Sequence, residues 1–173
     1  MSGKNKSPIL VGIVMGSDSD TVIMSKARVV FDDFKVPYAG IICSAHRTPE
    51  DVSPFVLSCI ARGCKVFIAG AGWAAHLAGA IAANTILPVI GVPLSSSKLN
   101  GLDALLATVQ MPPGIPVATI AIDCADNAAY LAIQIIATGG DAVLSDKLVE
   151  HRRTMAESVR EKSRKLTLQG WPD

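Results

Sequence analysis

Three short stretches in the first half of the chain carry the residues best suited to chemistry: Gly16-Ser17-Asp18-Ser19-Asp20, Ser44-Ala45-His46-Arg47-Thr48-Pro49 and Gly70-Ala71-Gly72-Trp73-Ala74-Ala75. In the first, serine hydroxyls precede a helix start whose unpaired amides make a seat for an anion. The stretch lacks the Gly-x-x-x-x-Gly-Lys pattern of nucleoside triphosphate loops, so a phosphate monoester suits it better, with Asp20 placed to hold sugar hydroxyls. Helix capping by the same Ser and Asp is the competing structural role. In the second stretch, His46 is the side chain able to donate and accept protons near neutral pH. Arg47 beside it can clamp a phosphate through two parallel hydrogen bonds.

The third stretch satisfies the Gly-x-Gly-x-x-Ala dinucleotide fingerprint, but that fingerprint belongs on the first strand and needs an acid about 20 residues on. The corresponding region here, Val89-Ile90-Gly91-Val92-Pro93, has none. Its glycines instead bring backbone amides close to a small anion, such as a carboxylate or trapped carbon dioxide. His76 and Leu77 follow at the next helix start, where His76 either lines the same pocket or packs the helix. His151, in a charged tail, reads as a surface residue. Ser95-Ser96-Ser97 lacks the flanking glycines of a nucleophile elbow and reads as loop.

The elements that must position these stretches follow from periodicity and punctuation. Apolar runs predict strands at residues 9–15, 38–43, 65–69, 88–92 and 117–122. Helices are predicted at 20–34 with Asp20 as N-cap, from 48 to the break at Arg62-Gly63, and at 74–84, 102–109, 125–138 and 141–165. The second helix opens on Thr48-Pro49-Glu50-Asp51, a capping residue followed by proline and first-turn acids. Its buried face is predicted as Val52, Phe55, Val56, Cys59 and Ile60. Strands alternating with helices imply an α/β three-layer sandwich around a mainly parallel five-stranded sheet. With strand order 2-1-3-4-5, the exit loops of the first three strands meet where the order reverses, the place where such sheets bind ligands. No repeat or flexible linker interrupts the chain, so one domain is expected over residues 1–173, with a core at 9–138 and a C-terminal helix at 141–165.

Composition agrees with this architecture. Half of the 173 residues are hydrophobic and only 5% aromatic, so the core is built from Ala, Val, Ile and Leu. Charged residues make up 18% and mean hydropathy is +0.40, values that suit a chain hiding surface in an oligomer. A net charge of +1 provides no field for nucleic acid or an anionic membrane. Seven basic and three acidic residues between Lys147 and Lys165 read as the solvated face of the last helix. No apolar run reaches the ~20 residues of a membrane span. Residues 1–8 are polar with no signal core behind them, and a cytoplasmic location is expected. Cys43, Cys59, Cys64 and Cys124 show neither Cys-x-x-Cys nor zinc-ligand spacing to a histidine, so thiols in a reducing cytosol and no metal are expected.

Taken together, the loops resemble the PurE family. Besides the three stretches, Ala74-Ala75-His76-Leu77, Gly91-Val92-Pro93, Val109-Gln110-Met111-Pro112 and Gly114-Ile115-Pro116-Val117 occur in that family's order and spacing, and the likeness runs from about residue 9 to 138. Arg47 and the 72–76 stretch resemble class I, the mutases that convert N5-carboxyaminoimidazole ribonucleotide to its carbon-carboxylated isomer. Class II members carboxylate aminoimidazole ribonucleotide directly and typically carry lysine after the histidine. The resemblance implies a flavodoxin-like fold, purine biosynthesis, no metal or organic cofactor, and a homo-octamer with sites near subunit interfaces. It further implies His46 as general acid/base, Ser17, Ser19 and Arg47 as phosphate ligands, and Asp20 as a ribose ligand. Ser44, Ala45, Ala71, Gly72, His76 and Leu77 would line the ring and carboxylate pocket. The chain departs from the family pattern at Trp73, where a glycine is usual, at Ala78-Gly79-Ala80, at Ser95 and at Asp123-Cys124-Ala125-Asp126. Direct carboxylation and a non-catalytic ribonucleotide-binding paralogue are the alternative readings.

Overall fold

Short apolar segments bounded by polar turns form the strands of one sheet in the computed structural model, which describes residues 7–171. The polar segment read as lacking a signal core lies mostly outside these residues, as do the ends of the expected 1–173 domain. The strands are β1 (Val11–Met15), β2 (Tyr38–Ile42), β3 (Val66–Gly72), β4 (Val89–Leu94) and β5 (Ala118–Thr119). All pairings are parallel, and the order is β2-β1-β3-β4-β5, as predicted. The helices are α1 (Thr21–Phe34), α2 (Val52–Ala61), α3 (Leu77–Ala82), α4 (Leu102–Val109), α5 (Ala125–Thr138) and α6 (Ala142–Leu168).

Side chains alternate across the sheet and so feed two separate cores. Val11, Ile13, Val66, Ile68, Ile90 and Val92 pack with α1 and α5 on one face. Val14, Phe67, Ala69 and Val89 pack with α2 and α3 on the other. Alanines 125, 128, 129 and 132 of α5 are fully buried, which lets its backbone lie close to α1 and the sheet. Phe67 is fully buried against Gly12, where an added Cβ would stand 2.6 Å from the ring; truncating Phe67 to alanine would cost about 3–5 kcal/mol.

The structure revises several boundaries. β3 runs beyond the predicted 65–69 as far as Gly72, and β4 ends at Leu94, because the two remain paired through Gly72↔Leu94. β5 shrinks from the expected 117–122 to a pair of residues at the sheet edge. There the chain turns at Asp123, whose φ is 60 and whose amide donates to the Pro93 carbonyl. The helix expected at 74–84 is confined to Leu77–Ala82. Single 3-10 turns, Asp18–Asp20 and Pro49–Asp51, precede α1 and α2. Ile60, expected in the α2 core face, is exposed, and Phe55 is only half-buried, because the helix buries just Val52, Val56 and Cys59. The last helix extends to Leu168, capped by the Asp141 carboxylate, which accepts from the Leu144 amide.

His151 corrects the surface assignment. Its ring stacks on Tyr130 at 4.8 Å and meets the edge of Phe34 at 5.9 Å, so the first part of α6 is clamped onto α5 and α1. The remainder of α6 is the solvated helix expected, laced by exposed pairs such as Arg153–Glu150 and Lys165–Glu161. Among the described residues no helix is long and apolar enough to cross a membrane, and no group of His, Cys, Asp or Glu is placed to hold a metal.

Candidate active site

The register of the sheet decides what meets at its carboxyl edge. Met15 is paired with Ile42 on one side and Gly70 on the other, so β1 and β2 end level, and β3, two residues longer, releases its loop beside theirs. Between them lies a cavity of about 480 Å³, within the usual range for small-molecule sites. Its lining includes Ser17, Ser19, Asp20, Ser44, Ala45, His46, Arg47, Ala71, Gly72, His76 and Leu77. Every residue singled out from the sequence as a site candidate therefore lies on this one cavity.

The first loop is organised by Asp20. Its Oδ2 accepts from the Ser17 amide at 2.9 Å, while Ser19 Oγ donates to Ser17 Oγ at 3.1 Å. Asp20 is only 6% exposed, and burial pushes its carboxyl above the ordinary carboxylate value against the lowering pull of hydrogen bonds from Ser17, Ser19 and Gly16. Asp18, by contrast, is exposed and is held below its ordinary value, chiefly by the Ser17 hydroxyl. Contrary to the sequence expectation, Asp20 therefore does not cap α1 with its side chain: its carboxylate closes the preceding turn and leaves two hydroxyls and a helix start facing the cavity.

The second loop is a small hydrogen-bonded unit built on Ser44. Its hydroxyl accepts from the amides of His46 and Arg47, at 3.3 and 3.2 Å, and the Thr48 hydroxyl accepts from the Ser44 amide at 3.0 Å. Arg47 reaches across to donate to the Gly16 carbonyl at 3.1 Å, which sets its guanidinium beside the serines of the first loop. The two loops together present a cation, hydroxyls and helix-start amides in one place, a donor set suited to a phosphate.

His46 and His76, thirty positions apart in sequence, join in a hydrogen bond. Nε2 of His46 lies 2.8 Å from Nδ1 of His76, with the rings edge to face at 4.9 Å. One nitrogen carries the hydrogen and the other offers its lone pair, so the pair can hold a proton at a defined place and pass it on. Of the readings left open for His76, the structure selects the cavity: the side chain is exposed there, and Leu77 does the packing at 1% exposure.

Sequence reasoning missed Ser96, read only as loop. It lines the cavity because β4, like its neighbours, ends at the same edge, and its hydroxyl lies so close to Gly72 that a Cβ there would collide with it. The level ending of a fourth parallel strand was the available signal. Ser95 is anchored by Asp123, whose carboxylate accepts from the Ser95 amide at 2.9 Å and also from its hydroxyl. Trp73 and Ala74 complete the rim.

Residues 10–158 match the family model described as AIR carboxylase. A relative from Pyrococcus horikoshii named N5-carboxyaminoimidazole ribonucleotide mutase is 51% identical over 99% of this chain and 96% of its own length. One of the same name from Thermotoga maritima is 45% identical over 94% of this chain and 95% of its own. A Schizosaccharomyces pombe protein named phosphoribosylaminoimidazole carboxylase is 50% identical over 96% of this chain, which spans 30% of that longer protein. The crystal structure of Treponema denticola PurE superposes with a TM-score of 0.83 at 30% identity, covering 91% of this chain and 98% of that one. With sheet order, loop motifs and near-full-length identity in agreement, this chain belongs to the AIR carboxylase, or PurE, family.

Proposed function

We propose that this chain interconverts N5-carboxyaminoimidazole ribonucleotide and 4-carboxy-5-aminoimidazole ribonucleotide in purine biosynthesis. The observation that carries the reading is the joining of His46, paired with His76, and the Ser17, Ser19, Arg47 anion seat on one cavity, in a chain about half identical to mutase-named relatives along nearly its whole length.

In the proposed mechanism Ser17, Ser19 and Arg47 hold the phosphate and Asp20 the ribose hydroxyls. Ser44, Ala45, Ala71, Gly72, His76 and Leu77 surround the ring and the migrating carboxylate. The carbamate N–C bond breaks, releasing carbon dioxide into the pocket while the amine nitrogen takes a proton from His46. The electron-rich ring carbon then attacks the trapped carbon dioxide, and His46 removes the proton displaced from that carbon. One proton and one carboxyl group change places and no electrons are gained or lost, so the chain's own residues balance the reaction without a cofactor. Holding carbon dioxide beside the ring makes its recapture a local event, which lowers the entropic barrier.

Turnover of fresh N5-carboxyaminoimidazole ribonucleotide, followed by ultraviolet absorbance, tests the reading. The wild type converts it, and His46→Asn loses at least about a hundredfold while keeping its melting temperature. Substantial turnover by that variant would remove His46 from its role. The carboxylase-named relative motivates a second reading, direct carboxylation. Product formed from aminoimidazole ribonucleotide and bicarbonate alone would favour it. Binding of the product with neither activity would make the chain a non-catalytic paralogue.

The reading extends to a cytoplasmic homo-octamer. Its support is the +0.40 mean hydropathy and the exposed apolar side chains, such as Val22, Leu57, Ile86 and Val143, on the isolated chain.

A further inference from the structure

Trp73 is a cavity residue for which the mechanism above has no use. Its backbone sits at φ 54, a left-handed conformation disfavoured for a bulky side chain. Among the described residues, the other non-glycine residues with positive φ are Asn100 and Asp123, types that tolerate it, and Lys35, which closes α1 through its amide. Trp73 caps no helix, and at 62% exposure its ring is not buried in compensation. A strained backbone that displays an indole at a cavity rim points to a role for the ring itself.

The surroundings indicate which role. Among the described Phe, Tyr and Trp residues, only Trp73 lines the cavity; the rest of the apolar lining is Leu77 and the small Ala45, Ala71, Gly72 and Ala74. The same short loop carries His76, so the indole and the histidine pair flank one part of the cavity, next to the last residue of β3. A planar heteroaromatic ligand can stack on a flat surface, and apart from the two histidine rings, which the mechanism uses for proton transfer, Trp73 is the aromatic face the cavity offers.

We propose that Trp73 is the stacking wall for the ligand's imidazole ring, a positioning residue that holds one ring face while leaving the ring edge to the histidine pair. This rests on the ribonucleotide reading of the site. Stacking in place of the usual small residue tightens ring-bearing ligands over fragments that share only the ribose phosphate.

The test uses the full chain carrying Trp171→Phe, which leaves Trp73 as the sole tryptophan. Titration with 4-carboxy-5-aminoimidazole ribonucleotide quenches its emission, whereas ribose 5-phosphate does not. In otherwise native chains, Trp73→Leu weakens binding of the ring-bearing product about tenfold and Trp73→Phe only a few-fold, with ribose 5-phosphate affinity unchanged in both. Circular dichroism checks that each variant is folded; should Trp73→Leu fail to fold, the quenching and Trp73→Phe still decide. Unchanged product affinity in the folded Leu variant, equal losses for both ligands, or tighter product binding in Trp73→Gly would overturn the stacking wall. A wild type that discriminates product from ribose 5-phosphate through Trp73 yet turns over no N5-carboxyaminoimidazole ribonucleotide would instead count against the mutase reading alone.

Discussion

Asp20, the proposed ribose ligand, shows how a buried carboxylate can work against the fold that holds it. Its carboxyl is raised by burial, so the folded state favours the protonated form more than the unfolded chain does. The consequence has a definite sign: Asp20 opposes folding above its folded-state value, and the opposition fades as pH falls towards its ordinary value. Asp20→Asn keeps an oxygen to accept from the Ser17 amide while removing the charge. The variant should therefore melt higher than the parent near about pH 7, with the difference shrinking towards about pH 3. It should also bind ribose 5-phosphate more weakly. A variant that melts lower at neutral pH would show that the hydrogen bonds to the carboxylate outweigh its burial. With the proposed ribose contact, activity and stability would be set in opposition at this residue, in the manner common at functional sites.

At the scale of elements, the cavity depends on contact between two strand ends. A Cβ on Gly72 would collide with the Ser96 hydroxyl and stand 3.2 Å from the Leu94 carbonyl, backbone that cannot swing aside. Gly72→Ala should therefore cost about 1–3 kcal/mol in denaturant unfolding and depress turnover. Adding Ser96→Gly should restore part of both, since it removes the hydroxyl but not the carbonyl. The Ser95–Asp123 link ties the same strand end to the start of α5, and Lys26 of α1 adds a hydrogen bond to the Asp123 carbonyl. Asp123→Ala leaves the Ser95 amide without its acceptor, so KM should rise, with a stability loss of about 1–3 kcal/mol. An unchanged KM would mean that the 95–97 loop holds its place without this tie.

The molecule as a whole presents more apolar surface than its core requires. Val22, Leu57, Ile86 and Val149 are each more than half exposed, and α6 leaves the body after its first turns with Leu144 as its only buried residue. Ion pairs along its free part are solvated and contribute little to holding it. The octamer proposed above gives these surfaces partners. Light scattering on the purified chain should return eight times its 18.1 kDa mass, and a monodisperse single-chain mass would remove the octamer from the reading.

Local chemistry is what the sequence by itself determined. The apolar run of β1, the helix at 125–138 and the Gly-Ser-Asp, Ser-His-Arg and Gly-Ala-Gly stretches each declare themselves within a few residues, because periodicity and turn chemistry are short-range. Parallel pairing followed from the alternation of strands and helices, and the meeting of the three loops followed once the common 2-1-3-4-5 order of the flavodoxin-like fold was assumed, an order the structure shows. Tertiary structure decided the rest. β3 grew to Gly72 because pairing with β4 satisfies its backbone, and β5 shrank because nothing pairs beyond it at the edge. Neighbours distant in the chain drew His151 onto Tyr130, brought His76 to His46 and placed Ser96 against Gly72. No local pattern encodes such contacts: they arise only when separate elements are brought into register, and that register is set by close packing of the whole sheet.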